Sequence, residues 1–123
     1  MKLNPDCIRD ILFTVEEVIQ APHHTMRLPE KYDRLEKYSD DEILYHIKQC
    51  ELSYLVRKVH WLMQGCLVYD LTPVGHKFIA DIRSDNIWNK TKDIAKNVGS
   101  FSLDSLSTIA ANVISDLISS QFR

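Results

Sequence analysis

The sequence of 123 residues lacks the features that are typical of several classes of protein. It holds three glycines and four prolines, and 45% of its residues are apolar, so it is neither collagen-like nor a low-complexity chain. It has no uninterrupted apolar run of about eighteen residues, which argues against a membrane-spanning helix. Its first seven residues lack the apolar stretch of a signal peptide. We therefore expect a globular cytoplasmic protein with no membrane partner.

Cysteine and histidine are too scattered for a metal or redox site. Cys7, Cys50 and Cys66 form no C-x-x-C pair, and no H-x-x-x-H occurs, so we expect neither metal nor cofactor and interpret the cysteines as small buried residues. Phosphate-loop, G-x-S-x-G and H-E-x-x-H motifs are absent. Cys66 beside His60 or His76 is the one conceivable nucleophile–base pair, and a buried cysteine is favoured over it. The sequence predicts no enzyme and no small-molecule substrate.

Charge is unevenly spread along the chain, although the net charge is only −2. Residues 1–51 carry seven basic and eleven acidic side chains, a net of −4, while residues 52–99 carry seven basic and four acidic side chains, a net of +3. Residues 100–123 carry one basic and two acidic side chains, a net of −1. A surface that faces phosphate is therefore expected in the middle of the chain, although an ordinary solvated surface also fits so small an excess.

Helix signals recur from one end of the chain to the other. Asn4 before Pro5, and Thr72 before Pro73, each pair a capping residue with a proline suited to the first turn. Ser39-Asp40-Asp41-Glu42 reads as a capping box. Ser84 and Ser102 begin two further apolar patterns, and Gly99 is a stop signal between them. The sequence thus predicts helices after each cap, with the second ending near Leu52 or Ser53.

A change of period predicts strands between the helices. Residues 54–61 are rich in β-branched and aromatic side chains, Gln64-Gly65 signals a turn, and Cys66-Leu67-Val68-Tyr69 reads as the returning strand. Residues 25–28 are a candidate short strand within an irregular stretch from 23 to 38. Gly75 lies inside a predicted helix, and close approach of that helix to the hairpin backbone would explain it.

This order of elements predicts an α+β, mostly helical fold: a winged helix-turn-helix-like domain with a two-stranded hairpin over residues 1–83, and a helical C-terminal extension over residues 84–123. Four segments also carry a resemblance: LNPDCIRDIL at 3–12, YSDDEILYHIK at 38–48, DLTPVGH at 70–76 running on to IRSD at 82–85, and WNKTK at 88–92. The chain resembles a domain-of-unknown-function family of short phage and prophage winged-helix-like proteins. The resemblance implies a bacterial or phage origin, no known enzymatic activity and no catalytic residues. Ser53-Tyr54 stands where we expect a glycine-containing turn.

The first functional hypothesis is a DNA-binding, transcription-regulatory winged helix. The helix after Ser39 would enter the major groove and the hairpin would contact phosphate or the minor groove. Three carboxylates at the start of that helix count against this docking, because they repel phosphate. The candidate base-reading residues are Tyr45, His46, Lys48 and Gln49. The candidate backbone contacts are Arg57, Lys58, His60, Lys90, Lys92 and Lys96.

The second hypothesis is a phage-encoded module that binds another protein, such as a host defence protein, without binding DNA directly. The last helix has a broad apolar stripe and a mostly serine polar face, which suits a homodimer or a partner groove. Packing of the same stripe on its own domain is an equally good interpretation. The candidate interface residues are Leu103, Leu106, Ala110, Val113 and Leu117.

Overall fold

A computed structural model describes residues 1–122. Within that range the chain forms five α-helices, three short strands and one short 3₁₀ helix, so the predicted α+β, mostly helical class is confirmed. In chain order the elements are α1 (Pro5–Val18), β1 (Met26–Leu28), the 3₁₀ helix (Asp33–Leu35), α2 (Asp40–Leu52), β2 (Val59–Trp61), β3 (Cys66–Val68), α3 (Pro73–Asp81), α4 (Asp85–Val98) and α5 (Leu103–Ser120).

The predicted helix signals are confirmed where the structure tests them. Asn4, Ser39, Ser84 and Ser102 each accept a hydrogen bond from a backbone N–H of the first helical turn that follows. Each cap satisfies an amide that a helix cannot satisfy internally, which is worth about 1 kcal/mol. Gly99 ends α4 in the left-handed region, with φ 85°.

The three strands form one antiparallel sheet in the order β1-β3-β2. The predicted hairpin is confirmed as β2 and β3, with Val59 opposite Val68 and Trp61 opposite Cys66. The candidate strand at 25–28 is confirmed as β1, which pairs with the other edge of β3. The sequence did not predict that this strand pairs with the hairpin to form one sheet.

The chain divides into two compact units, Met1–His76 and the part from Lys77 onward. In the first unit, α1 packs against α2 and against the 3₁₀ helix. Its core takes one face from each element: Ile8, Ile11, Leu12 and Val15 from α1, Ile43, Ile47 and Cys50 from α2, and Met26, Val59, Cys66 and Val68 from the sheet. Burial of each large apolar side chain among them stabilises the unit by about 1.5–3 kcal/mol.

The second unit is built on the pairing of α4 with α5. The buried positions of α4 are Trp88, Thr91 and Ala95, which recur at steps of three and four along one face. Those of α5 are Leu103, Leu106, Ala110 and Val113, at the same kind of spacing. Thr91 is accommodated in this apolar setting because its hydroxyl donates to the carbonyl of Ile87 at 2.7 Å.

The turn after α2 uses a residue that rarely adopts its conformation. Tyr54 has φ 58°, in the left-handed region where we expected glycine. Two hydrogen bonds hold this turn: the Leu55 N–H donates to the carbonyl of Cys50 at 2.9 Å, and the Thr72 hydroxyl donates to the carbonyl of Tyr54 at 2.6 Å. The Tyr54 side chain is 77% exposed, so one local and one tertiary hydrogen bond, rather than side-chain burial, maintain the turn.

Gly75 lies at the closest approach between α3 and the segment that follows this turn. A Cβ at Gly75 would overlap the carbonyl oxygen of Leu55. The predicted close approach of this helix to a neighbouring backbone is thus confirmed. The contact is with Leu55, which precedes β2, rather than with the paired strands. The close approach accompanies a hydrogen bond from the Thr72 N–H to that same carbonyl, at 3.0 Å.

Gly75→Ala is expected to destabilise the protein by about 2 kcal/mol, even though alanine is the better helix former, because the new methyl group would push α3 off the Leu55 backbone. Gly99→Ala is the control, because a Cβ at position 99 would meet no atom within 4 Å. This variant should lose only about 1 kcal/mol, since alanine disfavours the left-handed conformation of Gly99. Urea unfolding measures both. A Gly75→Ala variant more stable than wild type would contradict the packing.

Candidate functional site

The predicted base-reading residues of α2 are not all accessible. Tyr45 and Gln49 are half-buried, and Lys48 is exposed with its ammonium 2.8 Å from the Glu51 carboxylate. His46 was expected on the outer face of the helix, and that expectation was wrong, because its side chain is fully buried. A buried imidazole cannot contact a base edge from this position, so α2 offers fewer polar contacts than its sequence indicated.

His46 joins the first two helices. Its Nε2 accepts a hydrogen bond from the Asn4 backbone N–H at 2.8 Å, and its Nδ1 lies 2.7 Å from the carbonyl of Glu42. Since Nε2 accepts, the proton must be on Nδ1, which donates to that carbonyl, and the ring is neutral. One signal in the sequence pointed to this role: position 46 falls between Ile43, Ile47 and Cys50, on the stripe that α2 buries.

The sheet brings together cationic residues that are far apart in sequence. Arg27 of β1 lies opposite Leu67 of β3, and Leu67 lies opposite His60 of β2. Because successive side chains of a strand alternate between its faces, Arg27, Leu67 and His60 share the face opposite the buried Met26, Val59 and Val68. Sequence reasoning missed Arg27, although the alternation of Met26-Arg27-Leu28 within the predicted strand was a usable signal.

Lys58 extends this face by one residue pair. The Lys58 ammonium lies 4.9 Å from the centre of the Tyr69 ring, on the neighbouring strand segment. Arg57, beside it, is exposed, and its N–H donates to the carbonyl of Asp70 at 2.8 Å. We call Arg27, Lys58 and His60 the basic sheet face, and Arg57 is the exposed cation that precedes Lys58 in the chain. Within residues 1–122, none of these four side chains has a carboxylate oxygen within 4 Å.

The helix α2 lies on the other side of the sheet from these cations. Trp61 follows His60 and therefore points to the opposite face, where its indole N–H donates to the Glu51 carboxylate of α2 at 3.1 Å. Glu51 also accepts from Lys48 at 2.8 Å, and this hydrogen bond is the main reason that the pKa of Glu51 lies below its usual value. The sheet thus stands between α2 and the outward cations.

The other predicted contacts lie in the second unit. Lys90 and Lys96 are exposed on α4, and the Lys92 ammonium lies 5.5 Å from the centre of the Trp88 ring. Of the five predicted interface residues of α5, four are buried in the chain: Leu103, Leu106, Ala110 and Val113. Leu117 is 43% exposed and continues into Ile118, which is 54% exposed. Packing of the stripe on its own chain therefore accounts for four of the five.

The cysteines have the surroundings of structural residues. Cys7, Cys50 and Cys66 are all buried and unpaired. Burial raises the pKa of Cys7 to about 12 and that of Cys66 to about 11, and it raises the pKa of Cys50 well above its ordinary value. These shifts are opposite to the one that activates a thiol nucleophile. Within residues 1–122, no group of three histidine, cysteine, aspartate or glutamate side chains is placed to hold a metal ion.

Comparison with known proteins places the chain in a family. The fold and the site define it as a small α+β protein, and residues 2–102 match the family model described as "Hypothetical protein (DUF2513)". The chain belongs to this family, which confirms the expected domain of unknown function. It is 30% identical to a Haemophilus influenzae protein named "Uncharacterized protein" over 122 residues, covering 96% of this chain and 99% of that one. No solved structure matches. No helix in residues 1–122 has the length and apolar character needed to cross a membrane.

The thiols supply a direct test of the core. At pH 8, all three should resist Ellman's reagent in the folded protein, because burial keeps them protonated well above that pH and also shields them. In denaturant, where each thiol returns to its ordinary pKa, all three should react promptly. Rapid reaction of Cys66 in the folded protein would contradict the burial of its side chain on the inner face of the sheet.

Proposed function

We propose that this chain is a non-enzymatic, winged-helix nucleic-acid-binding protein that contacts the phosphate backbone through the basic sheet face. A helix followed by a two-stranded hairpin is the essential winged-helix arrangement, and α2 with β2 and β3 supports this reading. The 3₁₀ helix between β1 and α2 would then stand for a shortened middle helix. A regulatory role in a phage or prophage belongs to the same proposal.

The observation that carries the proposal is the alignment of Arg27, Lys58 and His60 on one exposed face. Arg57 lies beside them, and no carboxylate of residues 1–122 comes within 4 Å of the four side chains. Cations without an internal ion pair can replace the counterions of a phosphate array, and this release drives non-specific DNA binding. Tyr69, half-buried under Lys58, adds an aromatic surface to the same face.

The proposed docking differs from the usual major-groove entry of a recognition helix. Asp40, Asp41 and Glu42 occupy the first turn of α2, where they stabilise the helix but would repel phosphate. The sheet face avoids this repulsion because its cations point away from α2. The hairpin and β1 therefore make the first contact, and Tyr45, Lys48 and Gln49 contribute only where the duplex also reaches α2.

Binding of another protein is the second candidate function, in line with a phage-encoded module or inhibitor. One observation favours it: Leu117 and Ile118 leave the end of α5 with an exposed apolar surface. A homodimer through α5 would have to use this end, because the rest of the predicted stripe is already buried.

Replacement of Arg57 and Lys58 by alanine should weaken binding about equally for all duplex sequences, since these side chains are proposed to meet the backbone and not the bases. The slope of log affinity against log salt should become shallower by about one for each phosphate that the variant no longer neutralises. Fluorescence anisotropy with a labelled random-sequence duplex, titrated with salt, measures both effects. Arg27→Ala should act in the same direction, because Arg27 lies on the same face.

Lys2→Ala is the matched control, since it removes an exposed lysine outside the basic sheet face and should leave affinity and slope unchanged. Lys90→Ala with Lys96→Ala tests separately whether α4 also meets phosphate. The proposal fails if wild-type protein binds no duplex at low salt, or if the Arg57 and Lys58 replacements leave the salt slope unaltered.

A further inference from the structure

A groove on the α2 side of the hairpin has a chemistry quite different from the basic sheet face. Its volume is about 600 Å³, and it lies between the start of α2 and the tip of the hairpin. We call it the α2–hairpin groove; its lining residues are Pro29, Asp40, Asp41, Leu44, Trp61, Leu62, Met63, Gln64 and Gly65. All of them lie within the first compact unit.

Large apolar side chains along this groove are left in water. Met63 is fully exposed, Leu62 is 40% exposed and Trp61 is 37% exposed. These three apolar residues are consecutive, so they form one exposed patch at the hairpin tip. Contiguous exposed apolar surface beside polar residues is typical of a protein-binding site.

Both ends of the apolar hairpin tip are held in place by contacts within the chain. The indole of Trp61 donates to the Glu51 carboxylate, and the Lys48 ammonium lies 5.4 Å from the centre of its ring. At the other end, Gly65 lies against the backbone of Leu28, where a Cβ would overlap the carbonyl oxygen. A preformed wall lowers the entropy that binding must otherwise overcome.

Two carboxylates, those of Asp40 and Asp41, also line the groove. Asp40 and Asp41 are both exposed, and within residues 1–122 neither has a lysine, arginine or histidine nitrogen within 4 Å. Acidic residues in the first turn stabilise a helix, as Asp104 does in α5. Asp40 and Asp41 in addition line the same groove as an exposed apolar hairpin tip.

We propose that the α2–hairpin groove binds a segment of another protein in which lysine or arginine alternates with large apolar side chains. The apolar side chains would pack on Trp61, Leu62 and Met63, and the cations would pair with Asp40 and Asp41. This activity is separate from phosphate binding, because it uses the other side of the hairpin and the opposite charge. Nucleic acid is excluded from this groove by the same carboxylates.

Three short fluorescein-labelled peptides test the proposal with the full chain. One alternates lysine with leucine, the second has glutamate in place of lysine, and the third has serine in place of leucine. The lysine–leucine peptide should bind about tenfold more tightly than either of the others, since each of those lacks one of the two complementary features. Met63→Ser and Asp41→Lys should each weaken its binding by about fivefold to tenfold.

Matched substitutions outside the groove provide the controls. Asp104→Lys reverses a first-turn carboxylate of α5, as Asp41→Lys does in α2, and Val98→Ser removes an exposed apolar side chain from α4, as Met63→Ser does in the hairpin. Both should leave peptide affinity unchanged. Circular dichroism checks that all four variants remain folded.

Four results would overturn the proposal. These are no binding of the lysine–leucine peptide, equal binding of the serine or glutamate peptide, binding unaffected by Met63→Ser and Asp41→Lys, and equal weakening by the control variants. Light scattering can give a fifth result that overturns the proposal. If the wild-type protein is a dimer and Met63→Ser dissociates it, a second copy of this chain fills the groove.

Discussion

The seating of the hairpin on β1 is the constraint on which both proposed surfaces depend. Gly65 is the residue that allows it, because any side chain there would overlap the Leu28 carbonyl. With the hairpin in this place β3 becomes the central strand, and Arg27 lies in the same row as His60. The alternation of a strand then directs His60 outward and Trp61 toward α2. The close approach of Gly65 to Leu28 thus positions the hairpin so that a cationic face lies on one side of it and an acidic, apolar groove on the other.

A second constraint fixes the position of α2, which lies beneath the hairpin. The neutral imidazole of His46 satisfies the Asn4 N–H at the start of α1 and bonds to the Glu42 carbonyl within α2. Since both ring nitrogens are used, removal of this side chain would leave a donor without its partner, which typically costs about 1–3 kcal/mol when buried. The bond to Asn4 ties α2 to the start of α1, and the bond to Glu42 orients the imidazole within α2. The position of α2 therefore depends on polar interactions as well as on apolar packing.

Local signals in the sequence were sufficient for the elements, but not for their assembly. The caps at Asn4, Ser39, Ser84 and Ser102 act over three residues, so the sequence predicted each helix start correctly. The pairing of β1 with β3 joins residues about forty positions apart, and no local pattern specifies it. That pairing is why Arg27 was missed. His46 was misplaced because a histidine is usually polar and exposed, and only its position on the helical stripe indicated burial. Tyr54 adopts a conformation typical of glycine, and a hydrogen bond from the distant Thr72 hydroxyl to its carbonyl helps to hold it there.

We propose that the hairpin has two chemically distinct sides and that phosphate contacts only one of them. Mapping of backbone amide NMR shifts on addition of a short duplex tests this most directly. We expect the perturbed amides to cluster at Arg27, Lys58, His60, Leu67 and Tyr69, while the shifts of Asp40, Asp41 and Leu44 remain unchanged. Perturbation centred on the start of α2, with none along the sheet, would contradict it.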